Sequence, residues 1–321
     1  MTQAIEASRA LFGRMLDGLM TDEEIKRTLI ELADRGETAE DIAGAAMAMR
    51  ERMNRIAAPP RAIDVCGTGG DGQHSLNVST ATAIVVAACG VPVAKHGNRA
   101  ASSKAGTADT FEALGMNLEA ASALAETTLA ELGIAFLFAQ KHHPALARIA
   151  PIRKALGRRT IFNLLGPLAN PAEVTRQLVG VPSPDILPLY HQAITQLGAE
   201  AAMIVSGEEG LDEISVDGAT RIASLGLSGI ADRIRPEDAG LLAFPLEELR
   251  GGDPAYNAAA LRRLLEGEDG AYRNAVLLNS AGALIVAAEA PRWHDGAEMA
   301  AEVIDSRRAA ALLDRWIEAC K

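Results

Sequence analysis

The chain is short of cysteine, of uninterrupted apolar sequence and, over two long stretches, of acids. Cys66, Cys89 and Cys320 are its only cysteines, an odd number set far apart in 321 residues. That excludes a disulfide framework and fits a reducing compartment, so a cytoplasmic location is expected. No cysteine–histidine cluster with metal-binding spacing is present. The longest apolar run, Ala81 to Ala94, is broken by Gly90 and Pro92 and is too short to cross a bilayer. Glu6 and Asp17 stand where a signal peptide would be basic and then apolar. A net charge of −11 argues against nonspecific binding to nucleic acid or to an anionic membrane. No nucleic-acid or membrane partner is therefore expected.

Asp and Glu total 42, yet none occurs in 72–108 or in 132–172. Those windows hold Lys95, Arg99, Lys104, Lys141, Arg148, Arg153, Lys154, Arg158 and Arg159. Clearing acids in this way keeps a polyanion site electropositive. Burial also removes acids and accounts for 79–94, but not for the polar stretch Lys95 to Lys104. The opposite bias comes at Glu208, Glu209, Asp212 and Glu213. Such a cluster is either a Mg²⁺ site that shares phosphate oxygens or a solvated turn.

What is present in abundance is glycine, at Gly67-Thr68-Gly69-Gly70-Asp71-Gly72. The apolar run 62–66 leads in, and the hydroxyl-rich start of an apolar helix follows. Glycine permits positive φ and close approach of the backbone. Successive N–H groups facing one concavity form an anion nest, beside a helix N-terminus that Ser79 or Thr80 could cap. A phosphate or diphosphate is the natural guest. Gly67, Gly69 and Gly72 also fit G-x-G-x-x-G. A dinucleotide site, however, needs an acid about 20 residues on. The next strand ends instead in Lys95-His96, and no acid lies between Asp71 and Asp109.

Residues 1–56 read as helices. Thr21 with Glu24 is a capping box, Gly36 ends that helix and Thr38 opens the next, with Ile42, Ala45, Met49 and Met53 along one face. Pro59-Pro60 breaks the pattern. Beyond it, strands are expected at 62–66, 91–94, 134–139, 176–181 and 201–206. Helices are expected at 79–89, 107–114, 119–132, 184–198, 255–266, 270–288 and 296–318. Asp217-Gly218 reads as a hairpin turn between 214–216 and 220–222. The expected fold is α/β: a small helical domain, 1–60, and a larger domain, 61–321, with a mostly parallel sheet flanked by helices. Loops after the strand ends can then converge on one site.

Taken together, Gly67–Gly72, Asn77–Thr80, Lys95–Arg99, Ile161–Leu168 and Gly210–Glu213 resemble the anthranilate phosphoribosyltransferase family of tryptophan biosynthesis over nearly the whole chain. The resemblance implies a nucleoside phosphorylase/phosphoribosyltransferase-like fold, with a segment near 150–172 joining the small domain. It implies a homodimer through the helical domains. The implied reaction moves the phosphoribosyl group of phosphoribosyl pyrophosphate to the amine of anthranilate, with Mg²⁺ as cofactor, two ions per subunit. Gly67, Gly70, Asp71, Ser75, Asn77, Val78, Ser79, Thr80, Lys95, His96, Gly97, Asn98, Arg99, Ala100, Ala101, Ser102, Ser103 and Thr107 match the donor-binding positions. Gly67, Asn98 and Arg153 match the anthranilate contacts, and Ser79, Asp212 and Glu213 the metal ligands. Thr107 replaces a common serine and keeps its hydroxyl. Ser206 stands where a histidine is frequent, which puts any histidine role there in doubt. His96 and His143 could equally contact substrate or serve as structural hydrogen-bond partners. No residue is expected as a general acid or base. A pyrimidine nucleoside phosphorylase, of related architecture, would lack both the Lys95–Arg99 stretch and the Asp212-Glu213 pair.

Overall fold

A computed structural model describes residues 2–100 and 104–321. Its first three helices are Gln3–Leu16, Asp22–Arg35 and Ala39–Arg50. Each starts on a threonine: Thr2, Thr21 and Thr38 accept backbone N–H groups of the first turn. Thr21–Glu24 and Thr38–Asp41 form complete capping boxes, and Gly36 ends the second helix at φ 84°. The third helix stops at Arg50, so Met53 is buried from an irregular segment and not from the helical face expected of it.

Seven strands form one sheet. They are β1 Ile63–Gly67, β2 Val93–Gly97, β3 Ile134–Phe138, β4 Arg176–Gly180, β5 Ala201–Gly207, β6 Thr220–Leu225 and β7 Arg233–Ile234. Their order is β3-β2-β1-β4-β5-β6-β7. β3, β2, β1, β4 and β5 run parallel, while β6 and β7 are antiparallel. The parallel strands are buried on both faces and so read as nearly continuous apolar runs. Chain order reverses between β1 and β4, and such a switch point opens a crevice at the strands' carboxyl ends.

Several expected elements differ. β2 begins at Val93, after Pro92, which has no N–H for the ladder, and runs through Lys95-His96. The expected helix 119–132 divides into Leu118–Ala123 and Ala125–Leu132. That at 296–318 divides into Trp293–Asp305 and Arg308–Ala319, with Arg307 between them at φ 64°. That at 184–198 is a 3₁₀ turn followed by Leu187–Gln196. Asp217-Gly218 is no hairpin turn, because 214–216 is not a strand. β6 pairs with β5 instead, across the loop 208–219.

Three apolar clusters pack on the sheet among the described residues, the smallest with Ala94, Ala135 and Leu137. One packs Ile63, Val65, Ile84 and Leu284 with Trp316. Another joins Phe12, Ile25, Leu29 and Ile42 of the first helices to Ile152, Ile161, Phe162 and Leu165, and onward to Tyr190 and Ile204. The segment 149–169 thus shares its core with the N-terminal helices, and that core continues onto the sheet.

Candidate active site

A cavity of about 380 Å³ opens at the carboxyl ends of β1 and β2. The glycine loop forms its floor. Gly69, Gly70 and Gly72 take φ of 73°, 79° and 75°, a region that L side chains disfavour. The loop is tied at both ends: Thr68 N–H donates to the Gly180 carbonyl at 2.9 Å, and the Gln73 amide to the Glu209 carbonyl at 2.9 Å. The following helix is Val78–Ala88. Its N-cap is Asn77, not Ser79 or Thr80, and no side chain of its own caps it. Glu213 does so from a distance: its Oε1 accepts the Ser79 N–H at 3.1 Å.

Asp212 enters from the other side of the switch point. Its Oδ2 accepts the Gly69 N–H at 2.6 Å. A Cβ on Gly67 would run into the Asp212 carboxylate, and one on Gly180 into its backbone. Only glycine at both strand ends lets this acid sit in the crevice. Asp71 lies beside it, its Oδ2 buried without a partner among the described residues. Desolvation, then Asp71 and Glu213, holds the Asp212 carboxyl well above the usual range. Desolvation pushes Glu213 up to about 7, against the pull of Lys95. Carboxylate oxygens of Asp212 and Glu213, with the Ser79 hydroxyl beside Glu213, suit a hard divalent cation, and Mg²⁺ fits this donor type. Glu208 and Glu209 do not join it. Glu208 pairs with Arg233 at 2.7 Å on the surface, and Glu209 hydrogen-bonds the Ser215 hydroxyl. The acidic cluster therefore divides: Asp212 and Glu213 line the cavity, and Glu208 and Glu209 do not.

Lys95 is buried, with Nζ donating to Val65 O at 2.7 Å and to the Ser79 hydroxyl at 3.3 Å. His96 Nδ1 lies 2.9 Å from the Gly166 carbonyl, so that nitrogen carries the proton and Nε2 a lone pair. His96 and His143 stand with ring centroids 5.1 Å apart. Burial first, then a neighbouring imidazole, lowers them to about 3 and about 4. Both are neutral near pH 7, and each Nε2 is buried without a partner among the described residues.

Arg153 projects from the helix Ile149–Leu156. Its guanidinium sits 5.4 Å from the Phe162 ring centroid and donates to Asn163 Oδ1 at 3.4 Å. Burial lowers its pKa, and among the described residues no carboxylate pairs with it.

Every donor or anthranilate position named from the resemblance lines this cavity except Thr80 and three residues, Ala101, Ser102 and Ser103, which lie outside the described residues. Thr80 is fully buried, its hydroxyl 3.1 Å from that of Thr107. Asn77 lines the cavity, but its amide is mostly engaged elsewhere. Oδ1 accepts from Thr110 and Asn257, and Nδ2 donates to Ala105 O. Arg99 also lines the cavity and is paired with Asp109 at 3.0 Å and with Glu112. Lys141, Arg148 and Arg158 pair likewise with Glu119, Asp22 and Asp34. Acids distant in sequence thus neutralise much of the two acid-free windows. Phe162, Asn163 and Gly180 were given no role in the sequence reading. Gly180, at the end of an apolar strand, offered a readable signal of close approach.

Residues 59–310 match the family model described as "Glycosyl transferase family, a/b domain". Within that class, the chain is 62% identical to an anthranilate phosphoribosyltransferase of Novosphingobium aromaticivorans, over 97% of this chain and 95% of that one. It is 60% identical to that of Sphingopyxis alaskensis, over 97% and 94%. The crystal structure of the Thermus thermophilus enzyme matches with a TM-score of 0.94 at 41% identity, covering 98% of this chain and 95% of that one. The Saccharomyces cerevisiae enzyme, in complex with PRPP and Mg, matches with a TM-score of 0.86 at 28% identity, covering 98% and 92%. The chain belongs to the anthranilate phosphoribosyltransferase family.

Proposed function

We propose that this protein transfers the phosphoribosyl group of 5-phosphoribosyl 1-pyrophosphate to the amine of anthranilate, giving N-(5-phosphoribosyl)anthranilate and pyrophosphate, in tryptophan biosynthesis. The observation that carries this reading is one cavity with two unlike walls. A glycine nest, a helix N-terminus and carboxylates face an apolar wall bearing Arg153, Phe162 and Asn163. The first wall suits a diphosphate, the second an aromatic carboxylate.

Backbone N–H groups of 70–72 would hold the diphosphate, beside the positive end of the helix Val78–Ala88. Lys95 keeps the Ser79 hydroxyl in place from beneath. Ser79, Asp212 and Glu213 would hold Mg²⁺, two ions per subunit, which when bound supplies positive charge against the departing pyrophosphate. Arg153 would take the acceptor's carboxylate through two parallel hydrogen bonds. An aryl amine keeps its lone pair at neutral pH, so bringing it to the ribose carbon is mainly a matter of positioning. His96 and His143, both neutral near pH 7, can each accept a hydrogen bond through Nε2 but carry no positive charge there.

In this reading residues 1–60, joined by 150–172, form one side of the cleft and 61–321 the other. A homodimer through the N-terminal helices belongs to the proposal, supported by Leu19, which is 67% exposed there. Light scattering should give twice 33.6 kDa. A cytoplasmic location accords with three free cysteines.

The test follows anthranilate fluorescence with phosphoribosyl pyrophosphate and Mg²⁺. The signal should fall, and a chelator should stop it. Phosphorolysis of thymidine without any turnover of anthranilate would overturn the reading.

A further inference from the structure

The stretch Gly166–Asn170 crosses the strand ends with each successive carbonyl held by a different element. His96 on β2 holds that of Gly166, Gln177 on β4 that of Pro167 at 2.6 Å, and Arg50 that of Leu168 at 2.7 Å. Asn170 then turns its amide into the sheet. Nδ2 donates to Asp64 Oδ2 and to the Ala94 carbonyl, both at 2.8 Å. The other oxygen of Asp64 accepts the His96 N–H at 3.1 Å. Asp64 and Asn170 are 0% and 2% exposed.

Neither side chain lines the cavity, so neither contacts a reactant. Yet a carboxylate buried this deeply is costly, and a well-packed apolar pair would serve stability as well or better. What hydrogen bonds add over apolar contact is direction: they fix angle and register, where apolar surfaces can slide. The two residues lie at the junction of the two walls. Asp64 is two residues before Cys66-Gly67 on β1 and is bonded to β2 beside Lys95. Asn170 ends the segment that carries Arg153, Phe162 and Asn163. We propose that the Asp64–Asn170 pair is a positioning anchor. It sets the separation between the donor wall and the acceptor wall, with Gln177 as its auxiliary. The proposal rests on the reading that Arg153 and Phe162 receive the acceptor.

The test uses the full chain with Asn170→Leu, which removes the bonds to Asp64 and Ala94 and leaves the Asp64–His96 bond in place. Gln177→Met is a milder, volume-matched second variant should the first fold poorly. Both KM values are measured beside the melting temperature. For Asn170→Leu the KM for anthranilate should rise at least about tenfold, as expected when a positioned group shifts by a fraction of an ångström. The KM for phosphoribosyl pyrophosphate should stay within about twofold in the same comparison. Gln177→Met should show the same asymmetry at smaller size. An active wild type whose variants change both KM values alike, or lose only melting temperature, overturns the anchor alone. A wild type that does not turn over anthranilate overturns the functional reading and the anchor with it.

Discussion

Gly67 and Asp212 are packed so closely that a single methyl group at residue 67 would occupy the space of the carboxylate. Gly67 ends β1, and Asp212 lies in the loop between β5 and β6, so the contact spans the switch point of the sheet. The same acid takes the Gly69 N–H. The position of the glycine nest and the position of the metal-type carboxylate are therefore set by one contact.

Gly67→Ala should displace Asp212 and lower kcat/KM by about 100-fold, the cost of roughly an ångström of misplacement. Gly69→Ala makes a useful contrast. It has open space around it but φ of 73°, so strain of about 1–2 kcal/mol is its main penalty. Steady-state kinetics and thermal melts on both variants check this. The first should lose mainly activity, the second mainly stability.

Asp212→Asn and Glu213→Gln should each depress kcat. In chelator they should also leave the melting temperature unchanged or higher, because each removes a like charge from a crowded group. Melts with and without Mg²⁺ decide the point. A lower melting temperature in chelator would mean that these carboxylates hold the fold together instead.

Two of the buried imidazoles make a claim about pH. His96 and His143 are lowered to about 3 and about 4 in the folded chain, from an ordinary 6.5. Below pH 6.5 the unfolded chain takes up protons that the folded one refuses, so stability should fall as pH drops from 6.5 toward 4. His143→Gln should show a shallower acid-side slope of melting temperature against pH. Equal slopes in wild type and variant would mean that His143 titrates normally.

Features that rest on neighbours in sequence were legible before the structure. The Thr21–Glu24 box, the Gly36 stop, the glycine loop and the parallel sheet all follow from spacing over a few residues. Long-range pairing was not legible. Nothing near Arg99 in sequence shows that Asp109 and Glu112 will pair with it, and nothing marks Arg307 for positive φ. The acids at 208–213 look alike as letters. The turn geometry sends Asp212 and Glu213 inward and leaves Glu208 to Arg233. Asp64 lies unremarked in the run 62–66, and its partner Asn170 is far along the chain.

Arg153 gives the most direct test of the acceptor wall. Its guanidinium is half-buried against Phe162, and among the described residues its one side-chain bond, to Asn163, is long at 3.4 Å. Desolvation, with no carboxylate partner among the described residues, leaves it ready to gain from an incoming anion. A hydrogen bond to a charged group contributes about 1.5–3 kcal/mol, and about 1.4 kcal/mol is tenfold. Arg153→Ala should accordingly raise the KM for anthranilate about 10- to 100-fold. Lys should recover only part of this, because an ammonium can neither bond in parallel nor stack on the ring in the same way. The KM for phosphoribosyl pyrophosphate should barely move, since the glycine loop and the helix start lie on the opposite wall. Initial rates with each substrate varied in turn decide it. If the anthranilate KM is unchanged, or only that of the donor shifts, Arg153 does not bind the acceptor, and the carboxylate must be sought at Asn98 or on the glycine loop.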